Sequence, residues 1–288
     1  MARISGESMP VGKFFTCADK ISIHYRTVGH GPLPILFLHG FASSSTTWQD
    51  LIALFPAAEC TLFLLDLKGF GRSSKPKDGA YSIEDQAGIV RAFILAQGLH
   101  SLVLVGHSLG GAVALRVSLD AEKGDDPFIV EKLVLIDSAA YPQRLPRLFR
   151  KLRSPLGALF LRLMPVRMIV QGVLERVFFD NAAITAERFE RYSRYFRGKG
   201  IAYALRATVK AIDPEAYAQI GESYRRLRLP VLIIWGAEDR NVRLSLGQQL
   251  HGDLSGSRLS VLEKCGHNPH EERPEETFSE IITFLRNS

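Results

Sequence analysis

The chain has 288 residues, 46% of them hydrophobic and 23% charged, with 36 Lys+Arg against 30 Asp+Glu for a net charge of +6. That balance excludes an intrinsically disordered polymer, and the length fits one large α/β domain or a core domain with an insertion. The three cysteines, Cys17, Cys60 and Cys265, are odd in number, widely spaced and without Cys-x-x-Cys, which argues for a reducing compartment and against a metal framework.

The first eight residues, Met1-Ala2-Arg3-Ile4-Ser5-Gly6-Glu7-Ser8, contain no apolar h-region of a secretory signal. The most apolar later run, 156–170, is broken by Arg162, Pro165 and Arg167, which rules out a simple transmembrane helix. The expectation is a soluble cytoplasmic protein.

In chain order, Phe14-Phe15-Thr16-Cys17 and Ile21-Ser22-Ile23-His24-Tyr25 read as two strands around a turn at Asp19-Lys20. Pro34 to Leu38 is a buried strand ending in His39-Gly40-Phe41, and Ser43 to Thr47 supply helix N-cap candidates before a helix over Trp48 to Phe55. Thr61 to Leu65 is another buried strand. A helix over Ser82 to Gln97 follows, with Ser82 as its cap and Glu84 and Asp85 in its first turn. Further buried strands fall at Leu102 to Val105, Lys132 to Asp137, Val231 to Trp235 and Arg258 to Leu262, and a helix over Pro274 to Leu285 closes the chain. Strands alternating with helices predict a mostly parallel sheet with helices on both faces. Between Ala139 and Arg228 that rhythm stops, and about 90 helical, apolar, arginine-rich residues form an insertion far too long for a βα loop. The expected division is a core of 1–138 and 229–288, with a helical cap over 139–228 lying across the carboxyl ends of the strands.

The chemistry centres on Gly106-His107-Ser108-Leu109-Gly110-Gly111, which follows the strand at Leu102 to Val105 and opens a helix through Ala112 to Leu119. A Gly-x-Ser-x-Gly match is weak by itself; strand, tight turn and helix make it a nucleophile elbow, with the serine hydroxyl clear of the sheet and the Leu109 N–H aimed at the carbonyl it attacks. A serine needs a base and a group that holds the base. Of eight histidines, His251, His267 and His270 come late enough; His267 lies just past the last strand, and His270 is its main competitor. For the acid, Asp239 follows the strand Val231 to Trp235 and is preferred to Glu238, which reads as a solvated loop charge; Asp137, at the end of its own strand, is the alternative. His39-Gly40-Phe41 lies where a second oxyanion donor, the Phe41 N–H, is needed. His39 itself reads as a structural histidine, His107 as a pocket-wall residue, and Trp48 and Trp235 as core.

On these residues the chain resembles the α/β-hydrolase superfamily, in its lidded esterase, lipase and epoxide-hydrolase-like branch. The resemblance rests on His39-Gly40-Phe41, Asp66-x-x-Gly69-x-Gly71-x-Ser73, Gly106-x-Ser108-x-Gly110-Gly111, Trp235-Gly236-x-x-Asp239 and Gly266-His267-x-Pro269-His270-x-Glu272-x-Pro274, in family order across the core. It implies a mostly parallel eight-stranded sheet, with Ser108 as nucleophile, Asp239 as acid, His267 as base and Phe41 and Leu109 as the oxyanion hole. Serine at position 108 departs from the aspartate of haloalkane dehalogenases and epoxide hydrolases, which makes those chemistries unlike this one. The missing Gly-Pro-Gly after His39-Gly40 weakens a carbon–carbon bond hydrolase reading. Arg243 stands where many relatives have proline.

Residues 139–228 carry 18 Lys+Arg and 7 Asp+Glu, so the basic character is concentrated in the insertion. Its apolar residues, Phe149, Phe160, Met164 and Phe178 among them, would give the cap a greasy underside suited to an acyl chain. Its basic outside has three readings: solvated surface, weak attraction to an anionic membrane surface, or selection of an anionic substrate. Nucleic acid is not expected, since the arginines alternate with core-type residues and no binding motif is present. The expectation is a serine carboxylic-ester hydrolase acting on a small-molecule ester, medium-chain or monoacylglycerol-like, through an acyl-enzyme and without metal or cofactor. The alternatives are a carbon–carbon bond hydrolase and a non-catalytic small-molecule receptor on the same fold.

Overall fold

The structure, a computed structural model, describes residues 10–17, 20–124, 126–143, 147–154, 156–157, 163–212 and 221–287. Eight strands form one sheet: β1 (Lys13–Thr16), β2 (Ser22–Gly29), β3 (Leu33–Leu38), β4 (Cys60–Leu65), β5 (Ser101–His107), β6 (Ile129–Ile136), β7 (Val231–Gly236) and β8 (Arg258–Leu262), in the order β1-β2-β4-β3-β5-β6-β7-β8. β3 to β8 run parallel; β1 and β2 form an antiparallel hairpin laid against β4. This is the expected mostly parallel sheet.

Side-chain alternation splits the central strands between two cores. Leu36, Leu38, Leu104, Leu135, Ile233 and Trp235 face one layer, with α2 (Ile83–Ala96) and α3 (Leu109–Ala121) packed on it through Val90, Phe93, Val113 and Val117. Ile35, Phe37, Val103, Val105, Val134, Ile136, Leu232 and Ile234 face the other, covered by Trp48, Leu51, Phe55, Ile281 and Phe284. Strands buried on both faces explain the unbroken apolar runs in their sequences. The Ser82 hydroxyl accepts the Asp85 N–H at 3.1 Å while the Asp85 carboxylate accepts the Ser82 N–H at 2.8 Å, a reciprocal cap for α2.

The helix expected over Trp48 to Phe55 is shorter: a 3-10 turn, Ser45–Trp48, runs into a single turn, α1 (Gln49–Ile52). Leu54 and Phe55 donate to Leu51 and Ile52 in tight i→i+3 bonds, and Pro56 disfavours helical geometry at the residue before it.

Between β6 and β7 the described residues contain no strand. They form α4 (Arg147–Arg153), α5 (Val166–Val177), α6 (Ala186–Phe196) and α7 (Ile201–Ala211). Val170, Leu174, Phe178, Tyr192 and Tyr195 make a separate small cluster between α5 and α6, whereas Leu152, Ile201, Leu205 and Val209 join the main core. After β7 come α8 (Leu244–Asp253), α9 (Pro269–Glu272) and the terminal α10 (Pro274–Arg286). No helix among the described residues is long and apolar enough to cross a membrane.

Candidate active site

β5 ends in a turn that only small residues permit. A Cβ on Gly106 would lie 2.5 Å from the Gly110 carbonyl oxygen, one on Gly110 2.1 Å from that of Leu38, and one on Gly111 2.0 Å from Ser138 Oγ. Between them Ser108 is forced to φ 52°, ψ −117°, a left-handed-side conformation that is strained for a residue with a side chain, by about 1–3 kcal/mol. The surrounding bonds hold it there: Ser108 N–H donates to Ile136 O at 3.0 Å, and its own carbonyl accepts from Gly111 and Ala139, each at 3.0 Å. Ser108 is half-buried at the start of α3, whereas His107 and Leu109 on either side of it are buried.

Two loops, one after β7 and one after β8, converge on it. Ala237 N–H donates to Leu262 O at 2.9 Å and Glu238 N–H to Cys265 O at 3.0 Å, lacing the loop after β7 to the loop after β8. Glu238, expected to be solvated, is half-buried and accepts the Cys265 N–H at 2.9 Å. His267 and Asp239 are thereby placed side by side: His267 Nδ1 lies 2.7 Å from Asp239 Oδ2, and His267 Nε2 lies 3.0 Å from Ser108 Oγ. An ionised carboxylate only accepts, so Nδ1 carries the proton and Nε2 is left to accept from the serine hydroxyl. Asn241 N–H at 2.6 Å and Val242 N–H at 3.0 Å both donate to Asp239 Oδ1. Burial alone would raise the Asp239 carboxyl, but the adjacent imidazole and these donors hold it below its usual range.

The rival residues have other partners. His251 is exposed on α8 and bonds Ser257 at 2.8 Å. His270 is buried, with Nε2 2.9 Å from Thr47 Oγ1 and its ring 4.5 Å from that of Trp48. His107 donates from Nε2 to His267 O at 2.8 Å, its ring tilted against that of His267 with centroids 4.9 Å apart. Burial, with the neighbouring rings, lowers His107 to about 3 and drives His270 well below its usual value, so both rings beside His267 are neutral. His39 is a structural residue: Nδ1 donates to Gly40 O at 2.8 Å and Nε2 accepts the Leu67 N–H at 3.0 Å.

The loop carrying Phe41 approaches the serine closely, since a Cβ on Gly40 would sit 3.1 Å from Ser108 Cβ. Below it, Asp66 accepts from Ser45 N–H (2.6 Å), Arg72 N–H (2.8 Å) and His24 Nδ1 (2.8 Å), tying the loops after β3 and β4 together. Asp137, Asp239 and His267 offer ligating atoms within 4.8 Å of one another, as the only such His/Cys/Asp/Glu group among the described residues, but Asp239 and His267 are already hydrogen-bonded to each other.

Two of the pocket residues expected in the insertion are described. Phe178 is buried in the α5–α6 cluster with Arg188 5.0 Å above its ring. Met164 is half-buried just before α5. Phe160 lies outside the described residues, and Phe149 belongs to α4, whose first side chains are likewise undescribed.

Two glutamates with no role expected from the sequence hold the His267 loop. Glu272 accepts three backbone N–H groups, from Phe179 (2.7 Å), Gly266 (3.0 Å) and Asn268 (3.2 Å), and His267 N–H donates to Val177 O at 2.7 Å. Fully buried Glu271 accepts from Tyr192 Oη at 2.6 Å and Asn268 Nδ2 at 2.9 Å, with Arg191 3.6 Å away. Through these contacts the α5–α6 part of the insertion is fastened to the loop that carries the imidazole. The local signals were the carboxylate pair shortly before a proline-started helix and the place of Glu272 in the motif that begins at Gly266-His267.

Among curated proteins, the chain is 29% identical over 279 residues to an uncharacterized hydrolase, YugF, of Bacillus subtilis (strain 168), covering 96% of this chain and 98% of that one. It is 26% identical over 286 residues to a 2-hydroxy-6-oxononadienedioate/2-hydroxy-6-oxononatrienedioate hydrolase of Pseudomonas sp, with 92% of each chain covered. Among solved structures, a membrane phospholipase A described as a bacterial virulence factor superposes with a TM-score of 0.75 at 27% identity, covering 96% of this chain and 87% of that one. The model of the alpha/beta hydrolase family matches residues 35–280. That span takes in the strands and loops that bring Ser108, Asp239 and His267 together, and the chain therefore belongs to the alpha/beta hydrolase family.

Proposed function

We propose that this hydrolase cleaves carboxylic esters, of medium-chain acyl or monoacylglycerol-like kind, through an acyl-enzyme on Ser108. One observation carries the reading: the unbroken row Ser108 Oγ, His267 Nε2, His267 Nδ1, Asp239 Oδ2, with spacings of 3.0 and 2.7 Å. In it His267 takes the serine proton as Oγ attacks the ester carbonyl, and Asp239 holds the ring in the tautomer that can do so. The N–H groups of Phe41 and Leu109 receive the oxyanion; donors of this kind are worth roughly 100- to 1000-fold in turnover. His267 then protonates the departing alcohol and activates the water that releases the acid.

The helices of 139–228 act as a lid over this site, and their composition favours a lipid-like substrate. No Asp or Glu occurs from 139 to 174, where seven Lys+Arg do, and Leu156, Leu163 and Met168 are 68%, 71% and 60% exposed. Exposed apolar residues among basic ones suit the surface of an anionic bilayer, where each basic residue contributes about 1 kcal/mol.

A carbon–carbon bond hydrolase is the second reading, favoured by the 26% identity to the 2-hydroxy-6-oxononadienedioate/2-hydroxy-6-oxononatrienedioate hydrolase of Pseudomonas sp. Initial rates on p-nitrophenyl esters from acetate to palmitate, with Ser108→Ala alongside, test the proposal. An optimum at medium chain length that vanishes in Ser108→Ala is expected. Turnover of a vinylogous diketone acid, with none on any ester, would overturn it.

A further inference from the structure

Two carboxyl groups meet beside one imidazole. β6 and β7 are parallel neighbours with Ile136 opposite Ile234, so the residues leaving them, Asp137 and the Asp239 loop, emerge together. Both side chains are buried, and each has an oxygen within 4.8 Å of the other and of a His267 nitrogen. Their surroundings differ. Asp239 accepts three donors: Asn241 N–H, Val242 N–H and His267 Nδ1–H. Among the described residues Asp137 accepts one, the Gly236 N–H at 3.1 Å on Oδ1, and its buried Oδ2 faces no N–H or O–H donor.

Two ionised carboxylates at this separation repel, and neither can donate to the other. One proton removes the repulsion and gives the orphaned oxygen a partner. Hydrogen bonds to a carboxylate favour its charged form, so the proton belongs on the carboxyl with fewer of them.

We propose that Asp137 is a positioning residue of this site, held as the neutral acid and donating from Oδ2 to the Asp239 carboxylate that orients His267. Its catalytic consequence rests on the serine-esterase reading; its protonation does not. Burial first, and the Asp239 charge second, push the Asp137 carboxyl well above its ordinary range. The other titratable groups facing it are His267, Glu272, whose charge acts in the same direction, and the Cys265 thiol, itself raised by burial. Asp137 sits at φ 41°, a backbone region that Asp and Asn tolerate better than other side chains, so Asp137→Asn keeps the backbone, a donor for Asp239 and an acceptor for Gly236.

The linkage has a definite sign. The unfolded chain releases this proton near pH ~4, whereas the folded protein retains it, so the group lowers stability progressively as pH rises between the two values. Asp137→Asn has no such proton to lose. Its Tm relative to wild type is expected to climb steadily from pH ~4 into the neutral range; a difference that is flat with pH would overturn the proposal. In the same proteins, kcat/KM on p-nitrophenyl butyrate is expected within about threefold of wild type for Asp137→Asn and at least tenfold down for Asp137→Val, which has no donor. A loss in Asp137→Asn as large as that in Asp239→Asn, about 1000-fold or more, would show that the site needs a second negative charge and would sink the idea. Wild-type protein carrying carbon-13-labelled aspartate adds a readout without substitution: the infrared C=O band of a neutral aspartyl carboxyl at pH 7 is expected, and its absence overturns the proposal. If no ester is turned over, the Tm and infrared results still decide the protonation state.

Discussion

Gly236 and Gly266 touch backbone to backbone: a Cβ on Gly236 would lie 1.9 Å from the Gly266 carbonyl oxygen and 2.6 Å from that of Cys265. This contact sets the distance between the loop bearing Asp239 and the loop bearing His267. Neither partner is a flexible side-chain tip, so Gly236→Ala must separate the loops. A displacement near 1 Å at reacting groups costs roughly 100-fold in rate, and overpacking of a buried contact costs about 1–3 kcal/mol. Gly236→Ala is expected to lower kcat/KM on p-nitrophenyl esters by about 100-fold while remaining folded by circular dichroism. Wild-type kinetics in this variant would remove the contact from the account.

Glu272 holds the other side of the same loop. Replacing it by Gln turns an N–H₂ group toward at least one of the three N–H donors it now accepts. Glu272→Gln is expected to destabilise by about 1–3 kcal/mol and to speed amide exchange at Gly266 and Asn268, measured by hydrogen–deuterium exchange. Unchanged exchange at both amides would show that the loop is held by other contacts.

Asp66 bears on stability rather than chemistry. Burial opposes its charge, but the His24 hydrogen bond, the His39 ring and the Arg72 N–H outweigh it and lower the carboxyl to about 2. A carboxyl lowered on folding stabilises above its unfolded value near pH ~4 and loses that contribution as pH falls through the folded value. Asp66→Asn is therefore expected to lose about 2 kcal/mol at pH 7. In urea titrations, the gap to wild type should shrink as pH drops from about 4 toward 2. A gap independent of pH would assign the loss to packing.

The insertion's basic surface is tested with vesicles. Arg150, Lys151 and Arg153 are exposed on α4. Wild-type protein is expected to co-sediment with phosphatidylglycerol vesicles and not with phosphatidylcholine ones. Reversing the three charges to Glu should weaken the binding by roughly 100-fold or more, at about 1 kcal/mol per basic residue. Equal binding to both vesicle types would leave the charge as solvated surface.

Much of this protein is legible in its residues one stretch at a time. Buried strands show as apolar runs because both faces of the sheet are covered, and the turn at Ser108 shows because only glycine fits at Gly106 and Gly110. Such features are imposed by neighbours a few residues away, so the local sequence carries them. The order of Ser108, Asp239 and His267, after β5, β7 and β8, follows from the same regularity. The fold decided what depends on distant segments meeting. It turned His270 toward Thr47 and brought Glu238 to Cys265, and it seated Glu271 under Tyr192 and Arg191 of the insertion. It also placed Asp137 beside Asp239 rather than in its stead. No periodicity encodes those pairings, because each spans tens to hundreds of residues and is fixed by the register of parallel strands and the packing of helices across them.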